Sequence, residues 1–134
     1  MRFTDTNVLL YAVSPLPEEA EKRRRARDLL RRPDLAVSVQ VFQEFYYQAT
    51  RPTRSVHMTH DDALAFLGTL LQFPVQAVTL DLFREAVAIS RRYRLSYWDG
   101  AILAAARALG CEAVYSEDLS AQQDYDGLRV INPF

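Results

Sequence analysis

The chain has 134 residues, of which 49% are hydrophobic, and its formal net charge is −1 at pH 7. This length and apolar content predict one domain spanning residues 1–134, and the balanced charge excludes a histone-like protein held to nucleic acid by bulk charge. Cys111 is the only cysteine, which excludes a disulfide framework and favours a reducing compartment. With no signal-peptide pattern and no run of the ~18–20 apolar residues that span a bilayer, we expect a cytoplasmic protein.

The first half of the chain alternates short apolar strands with helical patterns. A strand is expected to end at Asp5, and a helix capped by Thr6 or Asn7 follows at once. Pro15 stops that helix, because proline disfavours helical geometry in the residue before it. Further predicted elements are a solvated helix over 18–32, a strand over 35–38, a helix over 39–49 capped by Ser38, and a helix opened by a Thr59–Asp62 capping box.

The second half continues the same alternation. The predicted elements are a strand over 74–80, a helix over 81–92, a helix from Ser96 to a left-handed cap at Gly110, and strands over 111–116 and 128–131. Strands that alternate with helices imply right-handed crossovers. The sequence therefore predicts an α/β fold whose central, mostly parallel sheet has four to five short strands flanked by helices.

The basic residues are concentrated in one segment. All but one of the sixteen are arginine, and six lie between Arg23 and Arg32. Three pairs with the acid four residues ahead of the base indicate a solvated helix face: Glu18–Lys22, Glu19–Arg23 and Glu21–Arg25. The alternative is a patch that contacts RNA phosphates through planar guanidinium groups, with Arg23, Arg24 and Arg27 as candidates.

Several common chemistries do not fit the residues present. The four glycines never cluster, so there is no phosphate-cradling loop, and no Gly-x-Ser-x-Gly elbow exists for a serine nucleophile. His57 and His60 with one cysteine make a poor zinc set. A dehalogenase-type phosphatase would need an aspartate where Asn7 stands, and a phosphoryl-receiver domain would need a late lysine, whereas Lys22 is the only one.

Four carboxylates remain as candidates for chemistry, namely Asp5, Glu44, Asp99 and Asp118. Each has a structural alternative: Asp5 and Asp99 as helix caps, Asp118 as a turn residue equal in charge to Glu117, and Glu44 as the partner of an arginine. If they converge, two carboxylates ~4 Å apart repel by roughly 4 kcal/mol at an effective dielectric near 20. Oxygen ligands select hard ions such as Mg²⁺ or Mn²⁺, and such a site hydrolyses phosphodiesters.

At these positions the chain resembles the PIN-domain ribonucleases, in particular the VapC-like toxins of bacterial toxin–antitoxin pairs. The resemblance covers essentially the whole chain, and four blocks in order are far more specific than any one of them. The matching stretches are 5–12 (DTNVLLYA), 38–45 (SVQVFQEF), 96–102 (SYWDGAI) and 115–119 (YSEDL), followed by the tail 124–134 (DYDGLRVINPF).

The resemblance implies a Rossmann-like PIN domain over residues 1–134 and a metal-dependent endoribonuclease. By position, Asp5 and Asp99 would bind Mg²⁺ or Mn²⁺ directly, and Glu44 and Asp118 would complete the cluster directly or through water. The supporting polar residues would be Thr6, Asn7, Ser116 and Glu117. The family often cleaves structured RNA such as tRNA, is silenced by a cognate antitoxin protein and commonly forms homodimers, so we expect these partners here.

One stretch departs from the resemblance. Residues 119–123 lack a glycine that relatives often carry before the tail, which leaves open whether Asp118 or Glu117 is the fourth acid. A second hypothesis is a catalytically idle PIN-like module that only pairs with a partner protein. The complete set of acids argues against it.

Overall fold

The computed structural model describes residues 1–121 and 123–134. Five strands form one sheet in the order β3-β2-β1-β4-β5, and every neighbouring pair is parallel. The predicted α/β fold with a parallel sheet flanked by helices is therefore confirmed. The strands are β1 (Arg2–Thr4), β2 (Leu35–Ser38), β3 (Val75–Gln76), β4 (Ala113–Tyr115) and β5 (Arg129–Ile131).

Six α-helices connect and cover these strands. Serine and threonine caps fix several of their first turns, as predicted: Ser38, Thr59 and Ser96 each accept a hydrogen bond from a backbone N–H two or three residues into the helix. The helices are α1 (Thr6–Ala12), α2 (Ala20–Leu30), α3 (Val39–Thr50), α4 (His60–Thr69), α5 (Leu80–Tyr93) and α6 (Tyr97–Ala108), with 3₁₀ turns at Pro17–Glu19 and Leu70–Gln72.

The strand predicted over 74–80 is shorter than expected. Only β3 pairs with the sheet, at its edge beside β2. The chain leaves the sheet early because Thr79 caps α5 by accepting a hydrogen bond from the Leu82 N–H at 3.1 Å. α5 therefore begins at Leu80, one residue earlier than the sequence predicted.

The core lies between the sheet and the two helical layers. Phe3, Leu35 and Val114 on adjacent strands are fully or almost fully buried. In α6 the buried face is built largely from alanine, and Gly100 allows a close approach to α5: a Cβ there would stand 2.7 Å from the Ala86 carbonyl oxygen. Close packing of these two helices fixes the first turn of α6, which carries Asp99.

The end of α6 also matches its prediction. Gly110 has φ 72, in the left-handed region, and its N–H donates to the Arg107 carbonyl at 2.9 Å. The Cys111 N–H donates to the Ala106 carbonyl at 2.9 Å, which completes a Schellman motif and directs the chain into β4. Among the described residues, no helix is long and apolar enough to cross a membrane.

Candidate active site

The four candidate acids follow from four different elements. Asp5 comes directly after β1, Asp118 lies three residues after β4, Glu44 is in α3, and Asp99 is in the first turn of α6. Because β1 and β4 are parallel neighbours, Asp5 and Asp118 leave the sheet at the same edge. That edge, at the carboxyl ends of the strands, is where open α/β sheets bind ligands.

Asp5 is the most buried of the four, with 5% of its surface exposed. Its Oδ1 accepts a hydrogen bond from the Thr6 N–H at 2.7 Å, and its Oδ2 accepts one from the Ser116 hydroxyl at 2.7 Å. Asp5 is therefore the N-cap of α1, and the predicted caps Thr6 and Asn7 are wrong. The Thr6 side chain instead donates a hydrogen bond to Glu44, and the Asn7 side chain donates one to Asp118.

Glu44 is held by two donors. The Thr6 hydroxyl donates to its Oε2 at 2.8 Å, and the Gln40 amide donates to its Oε1 at 2.7 Å. The same Gln40 nitrogen is 3.2 Å from the carbonyl oxygen of Trp98, the residue before Asp99. Gln40 thus links α3 to α6. The sequence interpretation missed it, although its spacing of four residues from Glu44 places both on one helix face.

Asp118 is held from two sides. The Asn7 amide donates to its Oδ2 at 3.1 Å, while its own N–H donates to Ser116 Oγ at 3.1 Å. The Leu119 N–H also donates to Ser116 Oγ, at 3.3 Å, and Leu119 is almost fully buried. These contacts hold the start of the stretch 119–123 in place; of that stretch, Gln122 lies outside the described residues.

Burial and the charges of neighbouring acids both raise the pKa values of Asp5 and Asp99. Burial raises the pKa of Asp5 to about 6; hydrogen bonds from Ser116 and Thr6 oppose the rise, and the charges of Glu44 and Asp118 add to it. Burial likewise raises the pKa of Asp99, opposed by the Ser96 cap, and the charges of Asp118 and Glu44 again add to the rise. Glu44 and Asp118 therefore lie close enough to act on both aspartates.

No cation within the described part of the chain neutralises this cluster. Every ion pair formed there involves other acids. Each oxygen of Asp5 accepts one hydrogen bond, which leaves a lone pair free on each. By donor type and by charge, the residues fit a hard divalent cation.

The cluster is nevertheless open. No three His, Cys, Asp or Glu side chains, taken over residues 1–121 and 123–134, stand close enough together to enclose an ion. Mutual repulsion keeps uncompensated carboxylates apart, and a cation between them would remove that repulsion. Shared ligation by all four acids therefore requires their side chains to draw closer than they are.

Glu117 has a different environment from its neighbour Asp118. It accepts a hydrogen bond from the Tyr11 hydroxyl at 2.6 Å and is paired with Lys22. Burial alone would raise the pKa of Glu117, but the bonds from Lys22 and Tyr11 outweigh it and lower that pKa. The predicted Glu18–Lys22 pair is therefore wrong, because the lysine reaches across to this acid instead.

The arginines proposed as RNA contacts are all engaged within the chain. Arg23 donates to the Ser14 carbonyl at 2.8 Å, and Arg27 donates to the Ala12 carbonyl at 2.9 Å, so both tie α2 to the end of α1. Arg24 pairs with Glu21 at 2.6 Å. Of the three predicted helix pairs, Glu21–Arg25 forms at 3.2 Å, whereas Glu19 accepts from the Ser14 hydroxyl and not from Arg23. An RNA contact by these arginines stays a prediction.

The described residues line several surface hollows, and only some of these hollows include one of the four candidate acids. One, with a volume of about 560 Å³, lies beside Thr79, Glu85 and Arg107 on the α5–α6 side. Two smaller ones touch the acidic cluster: one of about 480 Å³ includes Glu44, and one of about 200 Å³ includes Asp118. The acidic cluster thus lies between two surface grooves.

Comparison with known proteins adds a family assignment and a set of similar folds. The family model described as PIN domain matches residues 2–127. No curated protein sequence matches the chain. Among solved structures, a toxin–antitoxin complex from Klebsiella pneumoniae has a chain that is 21% identical with a TM-score of 0.73, over 100% of this chain and 98% of that one.

Two further solved structures show the same fold. VapC20 from Mycobacterium tuberculosis, a toxin that cleaves the sarcin–ricin loop, is 21% identical with a TM-score of 0.67, over 88% of this chain and 90% of that one. The DNA-bound VapBC from Salmonella typhimurium is 19% identical with a TM-score of 0.66, over 99% of this chain and 98% of that one. At these identities the similarity shows a common fold.

Proposed function

The chain belongs to the PIN domain family, and from that premise we propose that it is a metal-dependent endoribonuclease, the toxin of a toxin–antitoxin pair, and a single PIN domain over residues 1–134. The observation that carries the proposal is the set of four carboxylates at the carboxyl edge of the sheet, none of which forms an ion pair within residues 1–121 and 123–134. Asp5 is buried and Glu44 and Asp99 are partly buried, whereas Asp118 is exposed; burial of an unpaired acid is unfavourable unless a ligand supplies the missing positive charge.

The proposed ligands are Asp5, Asp99, Glu44 and Asp118, and the proposed ion is Mg²⁺ or Mn²⁺. Such an ion, when bound, lowers the pKa of a coordinated water and neutralises phosphoryl oxygens, which is the chemistry of phosphodiester hydrolysis. Residues of the chain itself hold these acids in place by hydrogen bonds. Ser116 and the Thr6 backbone fix Asp5, and Thr6 and Gln40 fix Glu44.

Asp118 is the better candidate for the fourth acid. Its carboxylate is held only by the neutral amide of Asn7, so its charge is available to a cation. The charge of Glu117 is already neutralised by Lys22. We assign Glu117 a supporting role, in which its N–H, 3.4 Å from Asn7 Oδ1, helps to orient the amide that holds Asp118.

The proposed partners are an RNA substrate, such as a tRNA, a cognate antitoxin protein and a second copy of the chain. The antitoxin is supported by similar structures that are themselves toxin–antitoxin complexes, from Klebsiella pneumoniae and Salmonella typhimurium. The RNA substrate is supported by the family and by the similar fold of a toxin that cleaves the sarcin–ricin loop. Cytoplasmic location follows from the proposed substrate.

The test is cleavage of total RNA by the purified protein, freed of any antitoxin, in Mg²⁺ or Mn²⁺ and in EDTA. Cleavage is expected only with the metal. Asp5→Asn should lose more activity than the ~10–100-fold that removal of a supporting residue produces, while its circular dichroism spectrum stays that of the folded protein. Full activity of Asp5→Asn would remove this residue from the site. Inactivity of the wild-type protein with every RNA would favour the idle binding module.

A further inference from the structure

An aromatic groove adjoins the acidic cluster. It has a volume of about 480 Å³ and is lined by Gln40, Gln43, Glu44, Tyr47 and Trp98. Tyr47 and Trp98 are each 63% exposed and line the same groove, and a contiguous exposed apolar patch marks an interaction site. The volume falls within the range of about 300–1,000 Å³ typical of small-ligand sites.

The groove is continuous with the proposed catalytic residues. Glu44 belongs to both, and Trp98 immediately precedes Asp99 in the first turn of α6. Gln40 joins the two by donating to the Glu44 carboxylate at 2.7 Å and to the Trp98 carbonyl at 3.2 Å. A group lying in the groove is therefore next to whatever the acids act on.

We propose that this groove binds a nucleobase of single-stranded RNA, at the nucleotide adjoining the cleaved phosphate, by stacking it on Trp98. The proposal rests on the proposed ribonuclease function and specifies the conformation of its substrate. Proteins that read unpaired RNA stack splayed bases on aromatic side chains. The Gln43 amide can bind the edge of a base, since its NH₂ group donates hydrogen bonds and its carbonyl oxygen accepts them.

The charge of the groove favours a base over a protein surface. Glu44 has no cationic partner among the described residues, so burying this carboxylate under a second copy of the chain would be strongly unfavourable unless that copy also brought a cation to it. A nucleobase is neutral and flat and covers the aromatic faces while leaving the Glu44 edge open to a cation. Stacking works with any base, so the groove would select an unpaired nucleotide more than a particular sequence.

The chain provides its own reporter, because Trp98 is its only tryptophan. We would titrate the wild-type protein in EDTA with an adenine-containing octanucleotide and with an abasic octamer of equal phosphate number. The base-containing octamer is expected to quench the Trp98 fluorescence and to bind about tenfold tighter or more, which is the order of one stacked base. Equal binding of the two octamers would overturn the proposal.

Variants separate stacking from general damage. Binding is then followed by the anisotropy of a labelled octamer, since Trp98→Ala removes the fluorophore. Trp98→Ala is expected to bind the adenine octamer no better than the abasic one, while Trp98→Phe retains most of the preference. Leu64→Ala, at another exposed apolar position (57%), is the matched control and should behave as wild type. Unchanged binding by Trp98→Ala would overturn the proposal.

Three further outcomes distinguish this inference from others. If sedimentation shows that Trp98→Ala converts a dimer into a monomer, the groove is an interface between copies of the chain and the nucleobase proposal is wrong. If the protein cleaves no RNA but still prefers the octamer with bases, the groove binds RNA and only the nuclease function fails. If cleavage persists without any base preference, only the groove proposal fails.

Discussion

The carboxylates of Asp5, at the carboxyl edge of the sheet, and of Asp126, in the turn before β5, lie in opposite environments. Asp126 accepts hydrogen bonds from Arg92 at 2.6 and 2.9 Å and from Arg107 at 2.9 Å, and these contacts, with that of Arg107 the largest, lower the pKa of its carboxyl. In the part of the chain that the structure describes, Asp5 has no such partner, and burial raises its pKa. An acid with a structural role carries its counter-charge within the chain, whereas the acids of the candidate site leave that place to a ligand.

The same contrast appears between the adjacent residues Asp118 and Glu117, and here it should change activity. Asp118→Asn should lower RNA cleavage by roughly 10–100-fold, because it removes an unpaired carboxylate from the proposed metal cluster. Glu117→Gln should leave most of the activity and instead lower the thermal stability, since the amide cannot pair with Lys22. Initial rates and melting temperatures of the two variants measure this. The reverse ranking of activities would make Glu117 the fourth acid.

The pH dependence of stability sharpens the comparison of Asp5 with Asp126. The pKa of Asp5 is raised from an ordinary value of 3.8 to about 6, so the folded state holds the extra proton between these values and stability falls as pH rises through them. In EDTA at pH 7.5, Asp5→Asn should therefore be more stable than wild type by roughly 2–3 kcal/mol, with the difference vanishing near pH 4. Denaturant unfolding at both values measures it.

Asp126→Asn is the matched control for that experiment and should behave in the opposite way. Its backbone has φ 56, which asparagine also adopts, so the turn is retained. The lowered pKa of Asp126 contributes stability that is present above the ordinary value and lost as pH falls, so this variant should be less stable than wild type at pH 7.5. An Asp5→Asn protein that is also less stable at pH 7.5 would contradict the unpaired state of Asp5.

Local patterns in the sequence predicted much of the fold. The alternation of strands and helices, the caps at Ser38, Thr59 and Ser96, and the left-handed Gly110 depend on residues within a few positions of one another, and each is confirmed. The edge strand β3 is shorter than predicted, because Thr79, three residues after its end, already caps the next helix.

The candidate site was less accessible to sequence reasoning. The sequence predicts four acids for the site, which stays a prediction, but it does not predict which polar group holds which acid, because those contacts join residues far apart in the chain. Lys22 pairs with Glu117 across 95 positions, while the local rule had assigned it to Glu18. Asp5 caps α1 in place of Thr6 or Asn7, because the Thr6 and Asn7 side chains form tertiary hydrogen bonds with Glu44 and Asp118.

The most direct test of the central claim is calorimetric titration of the apo protein with Mn²⁺ at pH 7.5. We expect the wild-type protein and Asp126→Asn to bind the ion alike, because Asp126 already has its counter-charge from Arg92 and Arg107. Asp99→Asn should bind it about tenfold more weakly or worse, since a proposed ligand is lost. Equal affinity of Asp99→Asn and wild type, or no binding by wild type at millimolar Mn²⁺, would contradict the account.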